Sequence, residues 1–201
     1  MKKSKQYQIY CDMDGVLVDF EGAAIEQINK DIKDESITCD EMICLRNDLS
    51  KIGRELITHD DLEKIKKEKR LPSARKYMYH RFANDEDFWA NLPWTSGGKE
   101  LWKFISKYNP HILTAPMDDD CKKGKFRWIE KNLTPQPEQI FMSHDKYKWA
   151  SSEDGQSNIL IDDFTINTIP WDASGGISIL YINVDDAIKE LKELINETYT
   201  T

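Results

Sequence analysis

No apolar run in the 201-residue chain is long enough to cross a bilayer, and the opening Met-Lys-Lys leads into no apolar segment of signal-peptide length before the polar Asp12. The expectation is a soluble, cytoplasmic protein. Cysteine is sparse: Cys11, Cys39, Cys44 and Cys121 form no C-x-x-C pair, which argues against a cysteine-rich zinc site or a disulfide framework and for reduced thiols. Positive charge is also short, with 28 basic against 36 acidic residues and a formal charge of −8. That balance disfavours general affinity for nucleic-acid backbones or anionic membranes, so any phosphate must be met by locally placed cations. Repeats and low-complexity tracts are missing as well. A chain of this length accommodates one good core and a smaller appended unit.

Around these absences the chain is organised by Gln8 to Phe20, QIYCDMDGVLVDF. A short apolar run, the mark of a buried parallel strand, stops at two aspartates one residue apart and then meets Gly15, which tolerates backbone conformations that a Cβ resists. Open α/β sheets place their chemistry in the loop after such a strand. Asp12 and Asp14 can converge on one ion or phosphate, and a divalent cation relieves their repulsion. A calcium loop would continue with further acids and amides, whereas Val16, Leu17 and Val18 follow here.

Phe20 to Ile32 reads as an amphipathic helix. From Asp34 to about Pro93 the chain is charge-rich, with helical patterns at Cys39 to Ile52, His59 to Lys69 and Ser73 to Phe82; the basic run Lys64 to Arg70 reads as a solvated helix face. The expected organisation is a core of residues 1–19 and 95–201 with a helical cap, 20–94, inserted. Phe88, Trp89, Leu92, Pro93 and Trp94 form an aromatic cluster, either core where the cap rejoins or, for some members such as Trp89, a wall that stacks on a flat ring. Beyond a helix through Leu101 and Ile105, strands and helices alternate: strands at His111 to Leu113, Ile140 to Met142, Asn158 to Ile161 and Ile177 to Ile182, helices at Lys122 to Leu133 and Val184 to Ile195. This alternation predicts a parallel α/β sheet.

Polar groups end several of these strands: Asp12 and Asp14, Thr114, the Ser143-His144-Asp145-Lys146 run, and Asp162 with Asp163. In a parallel sheet those ends lie side by side, and together they form an inventory for phosphoryl transfer. Asp12 suits a covalent nucleophile when a metal and cations relieve charge repulsion. Asp14, with its proton affinity raised by neighbouring carboxylates, suits the acid that protonates a leaving oxygen and the base that activates water. Thr114 and the following amides, including that of Ala115, can donate to phosphate oxygens, with fixed positive charge from Lys146. Asp162 completes an oxygen set suited to Mg2+. Singly, a threonine or lysine at a strand end is ordinary turn chemistry; the co-occurrence in this order carries the reading.

In that order the chain resembles the haloacid dehalogenase (HAD) superfamily of phosphohydrolases, through CDMDGVLVDF, ILTAP, the lysine of SHDKYKW, and ILIDD. More closely it is similar to the 5′(3′)-deoxyribonucleotidase family, the cytosolic type C 5′-nucleotidases, over DMDGVLVDFEG, ILTAPMDDD, GKFRWIEKNL, SHDK and LIDDFTINTIPWDASGG. The resemblance covers the core and leaves most of the cap unmatched. It implies a HAD-like Rossmannoid three-layer α/β core with a parallel sheet and a small helical cap after the first strand. It implies Asp12 as nucleophile, Asp14 as acid/base, and Thr114, Ala115, Lys146 and Lys125 at the phosphate. Asp12, Asp162 and the carbonyl of Asp14 would hold magnesium, with Asp163 behind them, and Phe20 would lie near the base. Ala115 stands where that family usually has serine, and His144 where arginine is common.

The expected activity is magnesium-dependent hydrolysis of (deoxy)nucleoside monophosphates through an aspartyl-phosphate. Two alternatives stand beside it: the same chemistry on a sugar phosphate or other small metabolite, and a non-catalytic phosphate- or nucleotide-binding module. The expected partner is a small phosphomonoester, with neither membrane nor nucleic acid; a homodimer is compatible with the sequence.

Overall fold

The computed structural model describes residues 7–60 and 71–197. The helical pattern assigned to His59–Lys69 and the basic run 64–70 therefore lie essentially outside the described residues.

Five short strands form one parallel sheet: β1 (Ile9–Cys11), β2 (His111–Thr114), β3 (Ile140–Met142), β4 (Ile159–Asp162) and β5 (Ile177–Leu180), in the order β3-β2-β1-β4-β5. The expected parallel α/β sheet is thus present. β1, β2 and β4 are buried at every position, as short, largely apolar strands are when both faces are covered. Tyr10, Leu113, Ala150, Leu160 and Trp171 make one cluster of the core, with Phe141 and Trp149 packed on it.

The helices are α1 (Phe20–Lys33), α2 (Asp40–Lys51), α3 (Pro72–Phe82), α4 (Glu86–Ala90), α5 (Gly98–Ile105), α6 (Asp119–Asn132), α7 (Thr165–Ala173) and α8 (Val184–Glu197). Sequence periodicity misses the short α4 and, more consequentially, α7. Pro170 lies inside it and removes a backbone donor, yet Trp171 buries completely and anchors the helix on β4 and β5. Packing overrides the local preference here. Among the described residues no helix is long and apolar enough to cross a membrane.

The chain divides into two compact units. One takes in the segments through Asp19, Pro93–Pro116 and from Lys125 onward; the other holds Phe20–Leu92 and Met117–Gly124. In the first unit, Val18 bridges Trp94, Asp19 N–H donates to the Pro93 carbonyl at 2.9 Å, and Thr95 N–H donates to that of Leu17 at 2.9 Å. The long insertion after β1 thus leaves and returns through a short antiparallel pairing. In the second unit α2 packs on α3, burying Met42, Leu45 and Leu49 on one helix and Ala74, Tyr77 and Phe82 on the other. A compact aromatic group, Phe20, Phe82, Phe88 and Trp89, fills its interior.

Candidate active site

β1 is the central strand, flanked by β2 and β4, and its C-terminal end lies where the strand order reverses direction. Open sheets form their ligand crevice at such a point. Asp12 N–H continues the ladder to the Ile161 carbonyl at 2.9 Å, which sets Asp12 beside the end of β4. The chain then turns tightly, the amides of Val16, Leu17 and Val18 all reaching back to the Met13 carbonyl at 3.2, 2.8 and 2.9 Å.

Two buried lysines are threaded into this turn. Lys146, in the short 3-10 turn after β3, lies 2.6 Å from Asp162 Oδ2 and 2.9 Å from Asp12 Oδ1. Lys125, on α6, donates to Asp14 Oδ2 at 2.7 Å, to Thr114 Oγ1 at 2.8 Å and to the Ala115 carbonyl at 3.1 Å. The structure thus brings Asp12, Asp14, Thr114, Ala115, Lys125, Lys146 and Asp162 together in the first unit. Lys148, two residues beyond Lys146, is instead exposed and paired with Asp145 at 2.7 Å.

Burial pulls the Lys146 ammonium toward neutrality, but Asp12 and Asp162 outweigh it and hold the lysine charged above its ordinary value. Burial pushes the Asp14 carboxyl up; Lys125 opposes the shift and the Asp12 charge adds to it. Burial and then Asp12 also raise Asp162, against the pull of Lys146. Cys11 is completely buried, and burial followed by the Asp12 charge drives its thiol well up, so it packs rather than reacts.

Asp162 and Asp163 are adjacent in sequence but differently engaged. Asp162 Oδ1 accepts from Phe164 N–H at 2.9 Å and from Asn167 Nδ2 at 3.0 Å; Oδ2 accepts from Asn167 at 3.1 Å as well as from Lys146. Its oxygens are already occupied. Asp163 is only half-buried and its carboxylate lies against Gly15, whose φ of +77° already favours glycine; a Cβ there would overlap that carboxylate. Asn167 is a neighbour of this cluster that residue-by-residue reading passes over: an amide in the first turns of an unexpected helix carries no periodic signal.

Ligand atoms of Asp12, Asp162 and Asp163 lie within 4.8 Å of one another. Asp14 Oδ1 is buried and accepts no hydrogen bond from the described residues, whereas Asp12 Oδ1, also buried, is met by the Lys146 ammonium at 2.9 Å. Leaving a carboxylate oxygen as Asp14 Oδ1 is left is costly unless something else meets it. An all-oxygen set of this kind fits a hard divalent cation.

Of the two aromatic candidates, Trp89 belongs to the interior of the second unit. Its indole donates to the Phe82 carbonyl at 3.0 Å, and its ring stacks on Phe20 at 4.9 Å and 8°. Phe20 is half-buried. Trp94 packs on Trp128 in the first unit, with centroids 4.7 Å apart.

Solved structures share this fold over nearly the whole chain. YfnB from Bacillus subtilis, described as a HAD-hydrolase and solved bound to magnesium, is 14% identical with a TM-score of 0.56, covering 96% of this chain and 100% of its own. A HAD family hydrolase from Deinococcus radiodurans R1, solved with bound phosphate and sodium, is 13% identical with a TM-score of 0.53, covering 98% of each chain. A HAD-superfamily hydrolase from Ehrlichia chaffeensis is 16% identical with a TM-score of 0.51, covering 96% of this chain and 100% of its own. No protein-family model and no curated protein matches the sequence. The fold is therefore that of the HAD hydrolases.

Proposed function

We propose that the protein is a magnesium-dependent phosphomonoesterase whose substrate is a (deoxy)nucleoside monophosphate. The carrying observation is that Asp12 and Asp14 stand at the end of the central strand, Asp14 paired with buried Lys125 and Asp12 sharing buried Lys146 with Asp162, while Asp14 Oδ1 is buried and accepts no hydrogen bond from the described residues. A carboxylate of Asp12 attacks phosphorus, forming the aspartyl-phosphate bond as the ester P–O bond breaks. Asp14 Oδ1 gives a proton to the departing oxygen; burial raises its proton affinity, against the pull of Lys125. The ionised Asp14 then takes a proton from water, whose oxygen attacks phosphorus, breaks the bond to Asp12 and releases phosphate. Thr114 and the Ala115 amide stand beside the transferred group, with Lys125 and Lys146 as the fixed cations.

Asp12, the Asp14 carbonyl and Asp163 would hold the magnesium, which supplies charge neutralisation at phosphorus. In this reading Asp163 takes the direct place and Asp162 orients Lys146, an exchange of the roles expected from sequence, because both oxygens of Asp162 already have donors. The nucleotide assignment rests on the sequence resemblance. Within the helical unit, half-buried Phe20 is the residue proposed to lie near the base, with Trp89 stacked on it from inside.

Phosphate release from 5′- and 3′-deoxyribonucleotides, ribonucleotides and sugar phosphates, with magnesium or chelator, tests the proposal. Magnesium-dependent release concentrated on deoxynucleotides supports it; release mainly from sugar phosphates removes the nucleotide assignment; no release from any of them removes the activity.

A further inference from the structure

The helical unit carries a second convergence of metal-binding side chains, built from a different donor set. Cys39 precedes α2, Glu41 lies in its first turn, and His80 comes from the last turn of α3. Their ligand atoms all lie within 4.8 Å of one another. His80 Nδ1 is 3.7 Å from Glu41 Oε2, too long for a hydrogen bond yet close to the spacing of about 3.3–3.8 Å that a tetrahedral ion with bonds of 2.0–2.3 Å imposes on its ligands. The groups are half-buried or, for His80, exposed, so none is locked in a fully buried position.

The cysteine is delivered by a braced segment. Arg46, one turn into α2, donates to the carbonyls of Asp31, Asp34 and Ile37 at 3.1, 2.7 and 2.7 Å, and its Nε donates to that of Ile32 at 3.1 Å. One guanidinium thus fixes the connection that runs from α1 to Cys39. Cys39 stands at the helix N-cap but makes no side-chain capping bond, so its thiol has no structural task at the helix end.

We propose that Cys39, Glu41 and His80 form a zinc-class divalent metal site, with a solvent molecule in the fourth position, that pins the start of α2 to the end of α3. Thiolate, imidazole and carboxylate together select zinc over magnesium, which takes oxygen donors. A thiolate and a carboxylate also neutralise the ion. The absence of a C-x-x-C pair hides such a site in the sequence because its third ligand is supplied by another helix.

The test is Co2+ titration of the full chain in excess Mg2+, which occupies oxygen-only sites, followed by displacement with Zn2+. The expected result is a thiolate-to-cobalt charge-transfer band that Zn2+ abolishes, that is lost in Cys39→Ser, that weakens about tenfold or more in affinity in His80→Gln, and that persists in Cys44→Ser. Unchanged metal-free melting confirms that the variants are folded; should Cys39→Ser unfold, the exposed His80→Gln decides alone. No band in the wild type, or a band unaffected by either Cys39→Ser or His80→Gln, overturns the site. The outcome does not depend on phosphatase activity.

Discussion

Each unit buries a carboxylate network, and the two are finished differently. In the helical unit Asp31 is fully served: Oδ1 accepts from Gln27 at 2.8 Å, and Oδ2 from the Tyr77 hydroxyl at 2.8 Å and Arg81 Nε at 3.1 Å. At the sheet, three buried or partly buried aspartates share two lysines, and among the described residues Asp14 Oδ1 is left without a hydrogen bond. A satisfied network fixes a structure, whereas an unsatisfied one stores an interaction for a ligand. Under the proposed function, the comparison separates a charge that serves stability from charges that serve chemistry, although both occur as buried acids.

Asp12→Asn gives the largest effect if the comparison is right. Phosphate release should fall by about three orders of magnitude or more while thermal melting shifts little, as judged by steady-state assay beside calorimetry. A large loss of stability with activity retained in the folded fraction would make Asp12 another Asp31. The converse substitution, Asp31→Ala, should cost about 3 kcal/mol in urea denaturation, since Tyr77 and Arg81 lose a buried acceptor. A loss below about 0.5 kcal/mol would show that the satisfied network is decorative.

Gly15→Ala sharpens the sheet side of the comparison. The left-handed backbone alone costs about 1–3 kcal/mol. The added methyl also displaces the Asp163 carboxylate, so the magnesium concentration needed for half-maximal activity should rise about tenfold. If the magnesium requirement stays put, Asp163 has no part in holding the ion.

The smallest effect concerns His111, packed between Tyr10 and Phe141 and lowered by burial from its ordinary 6.5, with Glu138 opposing. Because the unfolded chain takes up the proton first, stability is complete above pH 6.5 and is lost as pH falls toward the lower folded value, with a slope of at most about 1.4 kcal/mol per pH unit. His111→Phe should remove that acid-side slope. An unchanged profile would assign it to the carboxylates.

Much of the sheet was legible because β1, β2 and β4 are nearly pure apolar runs that stop at polar residues, a pattern that only strands buried on both faces require. Several residues of the candidate site stood out for a related reason, since Asp12, Thr114 and Asp162 lie at or one step past the ends of those runs. What stayed hidden depends on contacts between distant segments. Lys125 joining Asp14 to Thr114, Asn167 occupying Asp162, and Asp163 over Gly15 follow from packing. α7 was obscured by Pro170 and secured by the burial of Trp171, a tertiary gain that no local window records.

The covalent role of Asp12 is tested most directly by rapid-mixing measurement of p-nitrophenol release from p-nitrophenyl phosphate by the Asp14→Asn variant with magnesium. This leaving group needs no proton, so the first step survives while water activation is removed. The account predicts a burst equal to the enzyme concentration, followed by slow turnover, and no burst when Asp12→Asn is added. Absence of the burst, or a burst that survives loss of Asp12, contradicts it.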